Sequence, residues 1–400
     1  MKLAQRVSTV QPSATLALSA KAKALKAQGI EVIDFGLGEP DFDTPDEIKN
    51  AAIEALRAGF TKYTAPGGIE DLKAAIVEKF RRDNNLQYEK NQVVVSCGAK
   101  HSLYNIAQVL FERGDEVLIP APYWVSYPDQ VRLNDATPVF IETREENHFL
   151  LTRDLLAARI TPRTKALILN SPSNPTGSAY TQKQLEELAD LILEKRLIVI
   201  SDEIYEPFVY DGFKHVSIAT IRPELKNQTI VVNGVSKSYA MTGWRIGYAA
   251  GPKDVITAIE TVQSQSTSNP TSIAQKAAVA ALRGGSRFTE MMVAEFDQRR
   301  RYIVKRLNEM PGVSCLMPMG AFYAFPNVTG LLNLRWKDRA LKTVNDLADY
   351  FLEEARTAVV AGDAFGAPGH LRISYATALP LIEKGMDRMA EAIKKLKGGS

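Results

Sequence analysis

Lys237 is the residue of this chain whose position most clearly indicates chemistry. It follows the apolar run at residues 229–234, which is typical of a buried β-strand. A lysine at the end of such a strand is partly desolvated, which lowers the pKa of its amine and makes it nucleophilic. This amine could form a Schiff base with an aldehyde, and Arg245, eight residues further on, could hold a phosphate. Taken alone, such a lysine would be a solvated charge at the rim of a sheet.

Residues that could hold a flat, phosphorylated ligand follow two other apolar runs. After the run of three valines that ends at Val95, Gly98, Ala99 and Lys100 open a predicted helix. Small residues at a helix start leave backbone N–H groups free to bind a phosphate, although a plain tight turn explains them equally well. Trp124 follows the next run and could stack on a ring, with packing in the core as the alternative.

Polar residues follow two more of the apolar runs. Asn174 lies in a proline-rich turn and could donate to a phenolate oxygen or a carboxylate, or it could simply form an Asx turn. Asp202 follows a strongly apolar run, where a carboxylate needs a partner such as a protonated pyridine nitrogen. Tyr205, three residues on, could bond to an oxygen on the same ring. Because ligands of open α/β sheets bind beyond the carboxyl ends of the strands, these groups should meet at one edge.

The groups expected at that edge are those that pyridoxal 5′-phosphate requires. They comprise an aromatic plate, an amide, an aspartate, a tyrosine, a lysine and an arginine. An acid beside the ring nitrogen keeps it protonated, so that the ring can act as an electron sink. We therefore predict this cofactor, and no metal, at the site.

Composition and charge narrow the class of protein. The 400 residues are 45% hydrophobic and 24% charged, which is ordinary for a globular protein with a sizeable core. A net charge of +3 gives no reason to expect nucleic-acid or membrane-surface binding. Two distant cysteines cannot form a disulfide framework, and neither a signal peptide nor a membrane span is recognisable. We expect a cytoplasmic protein.

The order of apolar runs and helical patterns predicts an α/β fold. Runs that lack polar alternation indicate strands buried on both faces, in a mainly parallel sheet flanked by helices. Residues 45–290 are expected to form a large cofactor-binding domain, and residues 1–44 with 291–400 a smaller α+β domain. A charged stretch at residues 295–308 predicts a helix that bridges the two. Thr181 is placed to cap another helix.

Three motifs resemble the class I/II aminotransferases, which have the type I pyridoxal-phosphate transferase fold. They are Asn-Pro-x-Gly at residues 174–177, Ser-Asp-Glu-Ile-Tyr at 201–205, and Ser-Lys-x-x-x-Met-x-Gly-Trp-Arg-x-Gly at 236–247. The resemblance covers residues 12–376 and is closest to the bacterial aspartate aminotransferase branch, some members of which also accept prephenate. The motifs are highly specific for fold and cofactor, and less so for substrate.

The resemblance implies a role for each matching residue. Lys237 would form the Schiff base and carry the proton, Asp202 would pair with the pyridine nitrogen, and Asn174 and Tyr205 would bond to the ring oxygen. Trp124 resembles the residue that stacks beside the substrate. The remaining cofactor-binding positions, most of them around the phosphate, are Gly98, Ala99, Lys100, Ser236 and Arg245. Tyr63 is similar to a phosphate-binding tyrosine given by the neighbouring subunit, which implies a homodimer with shared active sites.

Substrate-binding residues also follow from the resemblance. Arg372 matches the arginine that grips the α-carboxylate, a pairing that a guanidinium makes bidentate; a surface salt bridge is the alternative. Gly38 resembles a backbone contact to the same group. No arginine can be placed at the distal carboxylate, but Lys100 fits a lysine that serves this purpose. Ser13 and Thr15 fit the accompanying hydroxyls.

These assignments lead to an expected reaction. The chain would move the amino group of L-aspartate to 2-oxoglutarate, giving oxaloacetate and L-glutamate by a ping-pong mechanism. Alternatives that keep the cofactor are transfer with prephenate, glutamate or aromatic substrates, a carbon–sulfur lyase and a decarboxylase. A ligand-sensing transcription regulator would need an N-terminal DNA-binding domain, for which the first 35 residues or so leave no room. A nicotinamide dehydrogenase would need a Gly-x-Gly-x-x-Gly after a strand, and none is found.

Overall fold

The computed structural model describes residues 1–398, and a seven-stranded sheet lies at the centre of the fold. Its strand order is β2-β8-β7-β6-β5-β3-β4, and all neighbours run parallel except β8, which is antiparallel to both β2 and β7. The strands of the described residues are β1 (Ile33–Asp34), β2 (Val93–Ser96), β3 (Glu116–Ala121), β4 (Thr137–Glu142), β5 (Thr164–Asn170), β6 (Ile198–Asp202), β7 (Thr229–Gly234), β8 (Gly247–Ala250), β9 (Tyr323–Ala324), β10 (Arg335–Trp336), β11 (Arg339–Ala340), β12 (Thr357–Ala358), β13 (Val360–Ala361) and β14 (Leu371–Ser374).

Helices cover both faces of this sheet and build the rest of the molecule. Within the described part of the chain they are α1 (Ala14–Ala27), α2 (Asp46–Arg57), α3 (Glu70–Asn84), α4 (Ala99–Leu110), α5 (Ser126–Arg132), α6 (Arg153–Ala157), α7 (Gln182–Glu194), α8 (Lys253–Ser264), α9 (Ser272–Arg283), α10 (Arg287–Asn308), α11 (Val344–Glu354) and α12 (Leu379–Lys394).

The central strands are apolar throughout because helices pack against both of their faces. Every residue of β2 and of β7 is buried. One face of the sheet packs against α4 and α8, where Leu103, Ile106 and Ile259 meet Val94 and Val232. A strand with two buried faces has no reason to alternate with polar residues. The predicted mainly parallel sheet is confirmed. Each of the five apolar runs lies in one of its strands, except that Leu197, the first residue of one run, precedes β6.

A second layer of structure is built from both ends of the chain. Strands β13, β14 and β9 form a small antiparallel sheet, and β1 pairs with β12. An aromatic cluster that includes Phe296, Phe322 and Phe351 packs beneath them, with α10, α11 and α12 around it. This region contains the residues expected in the smaller domain. The domain boundaries at residues 45 and 290 stay a prediction.

Two local predictions can be compared directly with the helices. Thr181 accepts a hydrogen bond from the backbone of Gln184, whose side chain in turn accepts from the backbone of Thr181, so a capping box begins α7. The charged helix expected from residue 295 is α10, which begins earlier, at Arg287, and ends at Asn308 as predicted. None of the helices in residues 1–398 is long and apolar enough to cross a membrane.

Candidate active site

Lys237 lies in the loop that joins β7 to β8, at the edge where the parallel strands end. The strand brings it there because residues 229–234 are held by the neighbours on both sides. The Lys237 side chain is half-buried, and its amine donates a hydrogen bond to the carbonyl oxygen of Gly38. Burial lowers the pKa of this amine from 10.5 to about 8. About a tenth of the amine is therefore neutral, and so nucleophilic, at pH 7, against well under a thousandth for an unperturbed lysine.

Asp202 is the last residue of β6 and is buried beside Lys237's loop. Its Oδ2 accepts a hydrogen bond from the Tyr127 hydroxyl at 2.6 Å, and its Oδ1 accepts one from the backbone N–H of Ile204 at 3.3 Å. Burial raises the pKa of this carboxyl from 3.8 to about 6, against the opposing effect of both hydrogen bonds. A buried carboxyl in this state gains most from a cationic partner such as a protonated ring nitrogen.

Arg372 lies on β14, with its guanidinium buried in the site. It donates to the backbone oxygen of Gly36 and, at 3.1 Å, to Oδ1 of Asn174. Its Nε has no hydrogen-bond partner among residues 1–398, and burial lowers the pKa of the guanidinium. A buried cation with an unused donor can bind an anion strongly. The surface salt bridge considered from the sequence is therefore not what the structure shows.

Two tyrosines meet next to Arg372. The hydroxyl of Tyr205 lies 2.7 Å from that of Tyr323, and both side chains are buried. The guanidinium of Arg372 lies over the Tyr323 ring, 4.7 Å from its centroid. Asn174, buried at the turn after β5, is held by its backbone N–H, which donates to Oδ1 of Asn170 at 2.8 Å. Tyr205 and Asn174 thus approach the same space from neighbouring strands.

The backbone at the start of α4 and the guanidinium of Arg245 together form a possible phosphate site. Gly98 precedes the helix with φ of 92°, and Ala99 begins it. A Cβ atom on Gly98 would overlap the guanidinium of Arg245, and one on Gly247 would overlap the backbone of Ala99. Only glycine fits at these two positions, so helix start and cation stay in close contact, as a phosphate site requires. The Arg245 side chain is anchored at 2.8 Å by the carbonyl oxygen of Thr242.

One cavity of about 340 Å³ collects most of the predicted site residues. It is lined by Thr15, Gly38, Ala99, Lys100, Trp124, Asn174, Asp202, Tyr205, Ser236, Lys237, Arg245 and Arg372. Lys100 lies at its mouth, with the amine 5.0 Å from the centre of the Trp124 ring. Ser13 instead lines an adjoining cavity of about 700 Å³, which shares Lys100 and Arg245 with the first. Its hydroxyl is 2.9 Å from that of Thr15, so the two cavities meet at this pair.

Tyr63 is the predicted residue that the structure does not bring into this site. It lies in the loop between α2 and α3, and its side chain is 91% exposed. A tyrosine so exposed has no packing role within its own chain. That it serves a neighbouring subunit stays a prediction.

Three contacts at the site were not expected from the sequence. Tyr127 bonds to Asp202, Tyr323 bonds to Tyr205, and the Nδ2 atom of Asn170 donates to the backbone oxygen of Asp202 at 2.9 Å. Tyr127 follows Trp124 by three residues, and its backbone N–H donates to the Trp124 carbonyl oxygen at 3.1 Å in the turn that opens α5, so this spacing could have revealed it. Tyr323 belongs to a two-residue strand far away in the chain, and no local pattern marks it.

The donors fit pyridoxal 5′-phosphate well. A partly neutral amine, a buried acid for the ring nitrogen, a tyrosine and an amide for the ring oxygen, and a helix start with an arginine for the phosphate lie around one cavity. Arg372, with its unused Nε, adds a site for a carboxylate. Fold and site together define an enzyme of the pyridoxal-phosphate-dependent transferase class.

Comparison with known proteins gives the family. The profile of the family described as "Aminotransferase class I and II" matches residues 30–393. The chain belongs to this family, and it is a pyridoxal 5′-phosphate-dependent aminotransferase. The type I fold and the cofactor expected from the sequence are thereby confirmed.

Individual relatives cover nearly the whole chain. It is 53% identical to an aspartate aminotransferase of Geobacillus stearothermophilus, over 97% of this chain and 98% of that protein. It is 47% identical to an aspartate/prephenate aminotransferase of Nitrosomonas europaea, over 99% of each. Among solved structures, an aspartate aminotransferase from Rhizobium meliloti superposes with a TM-score of 0.96 at 45% identity, over 99% of this chain and 100% of the other.

Proposed function

We propose that the chain transfers the amino group of L-aspartate to 2-oxoglutarate, giving oxaloacetate and L-glutamate. The observation that carries this proposal is that two cations line the cavity in addition to Lys237 and Arg245, namely the buried Arg372 and the exposed Lys100. Both substrates are dicarboxylates, and two cations suit two carboxylates. The names of the relatives in Geobacillus and Rhizobium agree with this reading.

The α-carboxylate would bind to Arg372. Its guanidinium is buried, and its Nε points at no protein acceptor among residues 1–398. The Asn174 amide and the Gly36 carbonyl already hold the other two nitrogens, so the guanidinium is oriented before a substrate arrives. Pre-orientation lowers the entropic cost of binding. It also presents the α-carbon to Lys237, which lines the same cavity.

Lys237 would act as the base at the α-carbon. When bound, pyridoxal 5′-phosphate supplies the electron sink that makes this proton acidic. With its pKa lowered to about 8, the Lys237 amine can both take the proton and return it near neutral pH. Asp202 would pair with the ring nitrogen, and Tyr205 would donate to the ring oxygen. Burial of these residues keeps water away from the reacting carbon.

Lys100 would select substrates that have a second carboxylate. Its amine lies over Trp124, and its pKa is lowered by partial desolvation and then by the charge of Arg245. A cation at the first turn of a helix opposes the helix dipole, so its placement at α4 suggests a function. Thr15 and Ser13 lie where the two cavities meet and can add hydroxyl donors.

The active enzyme would be a homodimer in which each site is completed by its partner. Tyr63 supports this, since a tyrosine that is 91% exposed needs a partner surface to account for it. Its loop is tied to α9 by the Gln275 side chain, which donates to Oγ1 of Thr64 at 3.1 Å and accepts from the backbone N–H of Ile69 at 2.8 Å. An exposed aromatic on a rigid loop can enter a second molecule at little entropic cost.

Single half-reactions test the proposed reaction. Purified enzyme loaded with cofactor is mixed with one amino acid at a time, and the change in cofactor absorption is followed. Aspartate and glutamate should convert the cofactor fastest, and 2-oxoglutarate should reverse the change. Lys237→Ala should show neither process. Release of pyruvate or of carbon dioxide without this reversal would refute transfer and favour a lyase or a decarboxylase. Faster conversion by aromatic amino acids, or faster reversal by prephenate, would refute the dicarboxylate preference.

The role of Lys100 needs its own comparison. Lys100→Ala should lower kcat/KM for aspartate by about 10- to 100-fold, because a charge-assisted hydrogen bond contributes about 1.5–3 kcal/mol. The value for phenylalanine should hardly change. Lys183→Ala, which removes an exposed lysine of α7, is the matched control and should alter neither. Equal losses for the two substrates would remove Lys100 from this role.

Mixed dimers test the shared site. In the Tyr63→Ala homodimer both sites lack the tyrosine, and in the Lys237→Ala homodimer both lack the lysine, so both homodimers should be impaired. When they are dissociated and reassembled together, mixed dimers should contain one site with both defects and one with neither. Recovery of activity would support the shared site, and its absence, with dimers verified by mass, would overturn it.

A further inference from the structure

The hydroxyl pair of Tyr205 and Tyr323 has an unused hydrogen. Within residues 1–398, each hydroxyl has the other as its only hydrogen-bond partner, at 2.7 Å. Two hydroxyls carry two hydrogens, and one bond between them uses only one. Both side chains are buried, and both line the cavity that holds Lys237. The second hydrogen therefore needs an acceptor, and the cavity is the place that can supply one.

Three other buried tyrosines donate their hydroxyl hydrogen to an acceptor within the protein, whereas the Tyr88 hydroxyl has no partner among residues 1–398 and lies away from the cavity. Tyr127 donates to Asp202 at 2.6 Å, Tyr350 donates to the Ala392 carbonyl oxygen at 2.8 Å, and Tyr375 donates to the Ala321 carbonyl oxygen at 3.2 Å. The Tyr205–Tyr323 pair differs because its open end faces a ligand cavity.

The surroundings of Tyr323 decide which hydroxyl donates to the other. The guanidinium of Arg372 lies 4.7 Å from the centre of the Tyr323 ring, whereas the cation near Tyr205, the Lys237 amine, lies 6.0 Å from the centre of that ring. A nearby cation draws electron density from a phenol and makes its hydroxyl a stronger donor. Space around Tyr323 is also closed, since a Cβ atom on Gly38 would lie 2.6 Å from its hydroxyl oxygen. Tyr323 is thus the better donor within the pair, and Tyr205 has its own hydrogen free.

We propose that Tyr323 is a positioning residue that acts through Tyr205: its hydroxyl donates to Tyr205 and so directs the Tyr205 hydrogen into the cavity, at the ring oxygen of the cofactor. This inference rests on the proposed function, in which Tyr205 bonds to that oxygen. A hydroxyl that accepts a hydrogen bond becomes a better donor, so Tyr323 strengthens the bond that Tyr205 makes.

The strand that carries Tyr323 links this effect to substrate binding. Ser374 of β14 pairs with Tyr323 of β9, and Arg372 lies two residues before Ser374 on the same strand. The group that would hold the substrate carboxylate and the hydroxyl that orients Tyr205 are therefore held in one small sheet. Any movement of this sheet relative to Tyr205 changes both together.

The pH midpoint of the cofactor's visible absorption in the holoenzyme tests this proposal, because it depends on how strongly the ring oxygen is bonded. Tyr205→Phe should raise the midpoint, since a donor to the negative oxygen is lost. Tyr323→Phe should raise it as well, by ~0.5 to 1 pH unit, which corresponds to one neutral hydrogen bond. The double variant should show no more than the shift of Tyr205→Phe alone, because Tyr323 acts through Tyr205. Tyr375→Phe, which removes a buried hydroxyl from the same core away from the cavity, should leave the midpoint unchanged.

The outcomes separate this inference from the proposed function. A shift with Tyr205→Phe but none with Tyr323→Phe would overturn the role of Tyr323 and leave the function standing. A shift with Tyr375→Phe equal to that with Tyr323→Phe would overturn it too, since the effect would be one of core packing. An unmodified enzyme without pH-dependent visible absorption would overturn the placement of the cofactor and this inference with it. Tyr323→Leu, which also lacks the hydroxyl, gives the same readout if the phenylalanine variant does not fold.

Discussion

Replacing Asp202 by asparagine should stabilise the cofactor-free protein while weakening cofactor binding. Burial raises the pKa of the carboxyl from 3.8 to about 6, so ionising it in the folded chain is unfavourable. At about 1.36 kcal/mol per pH unit, this difference corresponds to about 3 kcal/mol of lost stability near neutral pH. Asparagine has a similar shape and carries no charge, so it avoids this loss. Its single oxygen can still accept from Tyr127, while its Nδ2 gives up the longer bond from the Ile204 backbone N–H.

The sign of the pH dependence follows from the direction of the shift. Because the folded-state pKa is raised, the stability that the protonated carboxyl contributes is complete below pH 3.8 and is lost as the pH rises through about 6. Urea unfolding of both cofactor-free proteins, followed by tryptophan fluorescence, measures the effect. The advantage of Asp202→Asn should grow by about 2 kcal/mol between about pH 4.5 and about pH 7.5. All other titrating groups are the same in both proteins, so their contributions cancel in the difference between the two unfolding free energies.

Two comparisons decide whether the reasoning holds. Asp338→Asn, which replaces an exposed carboxylate, should run parallel to the unmodified protein at every pH. In the presence of cofactor, Asp202→Asn should bind it about 10²- to 10⁴-fold more weakly, because breaking a buried charge pair costs about 3–5 kcal/mol. If the stability difference between Asp202→Asn and the unmodified protein does not change with pH, then burial does not raise the pKa of Asp202, and the prediction fails.

Three further results are expected. Reconstitution of the cofactor-free enzyme, followed by stopped-flow absorption, should accelerate about tenfold per pH unit below the Lys237 pKa of about 8 and level off above it; a flat profile would contradict a neutral attacking amine. Arg372→Lys should raise KM for aspartate about 10- to 100-fold, since an ammonium cannot replace the bidentate guanidinium; an unchanged KM would exclude the proposed contact. Gly247→Ala should abolish cofactor binding in equilibrium dialysis because a Cβ there would overlap Ala99, whereas Gly243→Ala, with nothing within 4 Å, should bind normally.

The parts of the site that could be predicted from the sequence are those that lie at strand ends. Lys237 and Asp202 follow uninterrupted apolar runs, and parallel strands bring their carboxyl ends to one edge whatever the details of packing. A polar residue in such a position is conspicuous because burial there requires a partner. Fold class and cofactor follow from the same reasoning, strengthened by the motifs at residues 174–177, 201–205 and 236–247.

The parts that could not be predicted depend on contacts between distant segments. Tyr323 and Tyr205 are separated by 118 residues, and the strand that carries Tyr323 has only two residues, too few for any periodic pattern. The reversed direction of β8 was also not foreseen, since its apolar residues look the same whichever way the strand runs. Whether Ser13 faces the main cavity or the adjoining one is decided by how the N-terminal segment packs, not by its residue types.

The reversed strand β8 has a consequence for how the enzyme can change during evolution. Because β8 runs back from the edge at which β7 ends, Lys237 and Arg245 lie on a single β-hairpin, with Gly234 and Gly247 paired at its base. The reactive amine and the phosphate's cation are therefore tied together over a few residues of chain, independently of any relative movement elsewhere. In the proposed function Lys100 and Thr15 select the substrate and lie outside this hairpin, so substitutions there would leave the spacing of Lys237 and Arg245 in place.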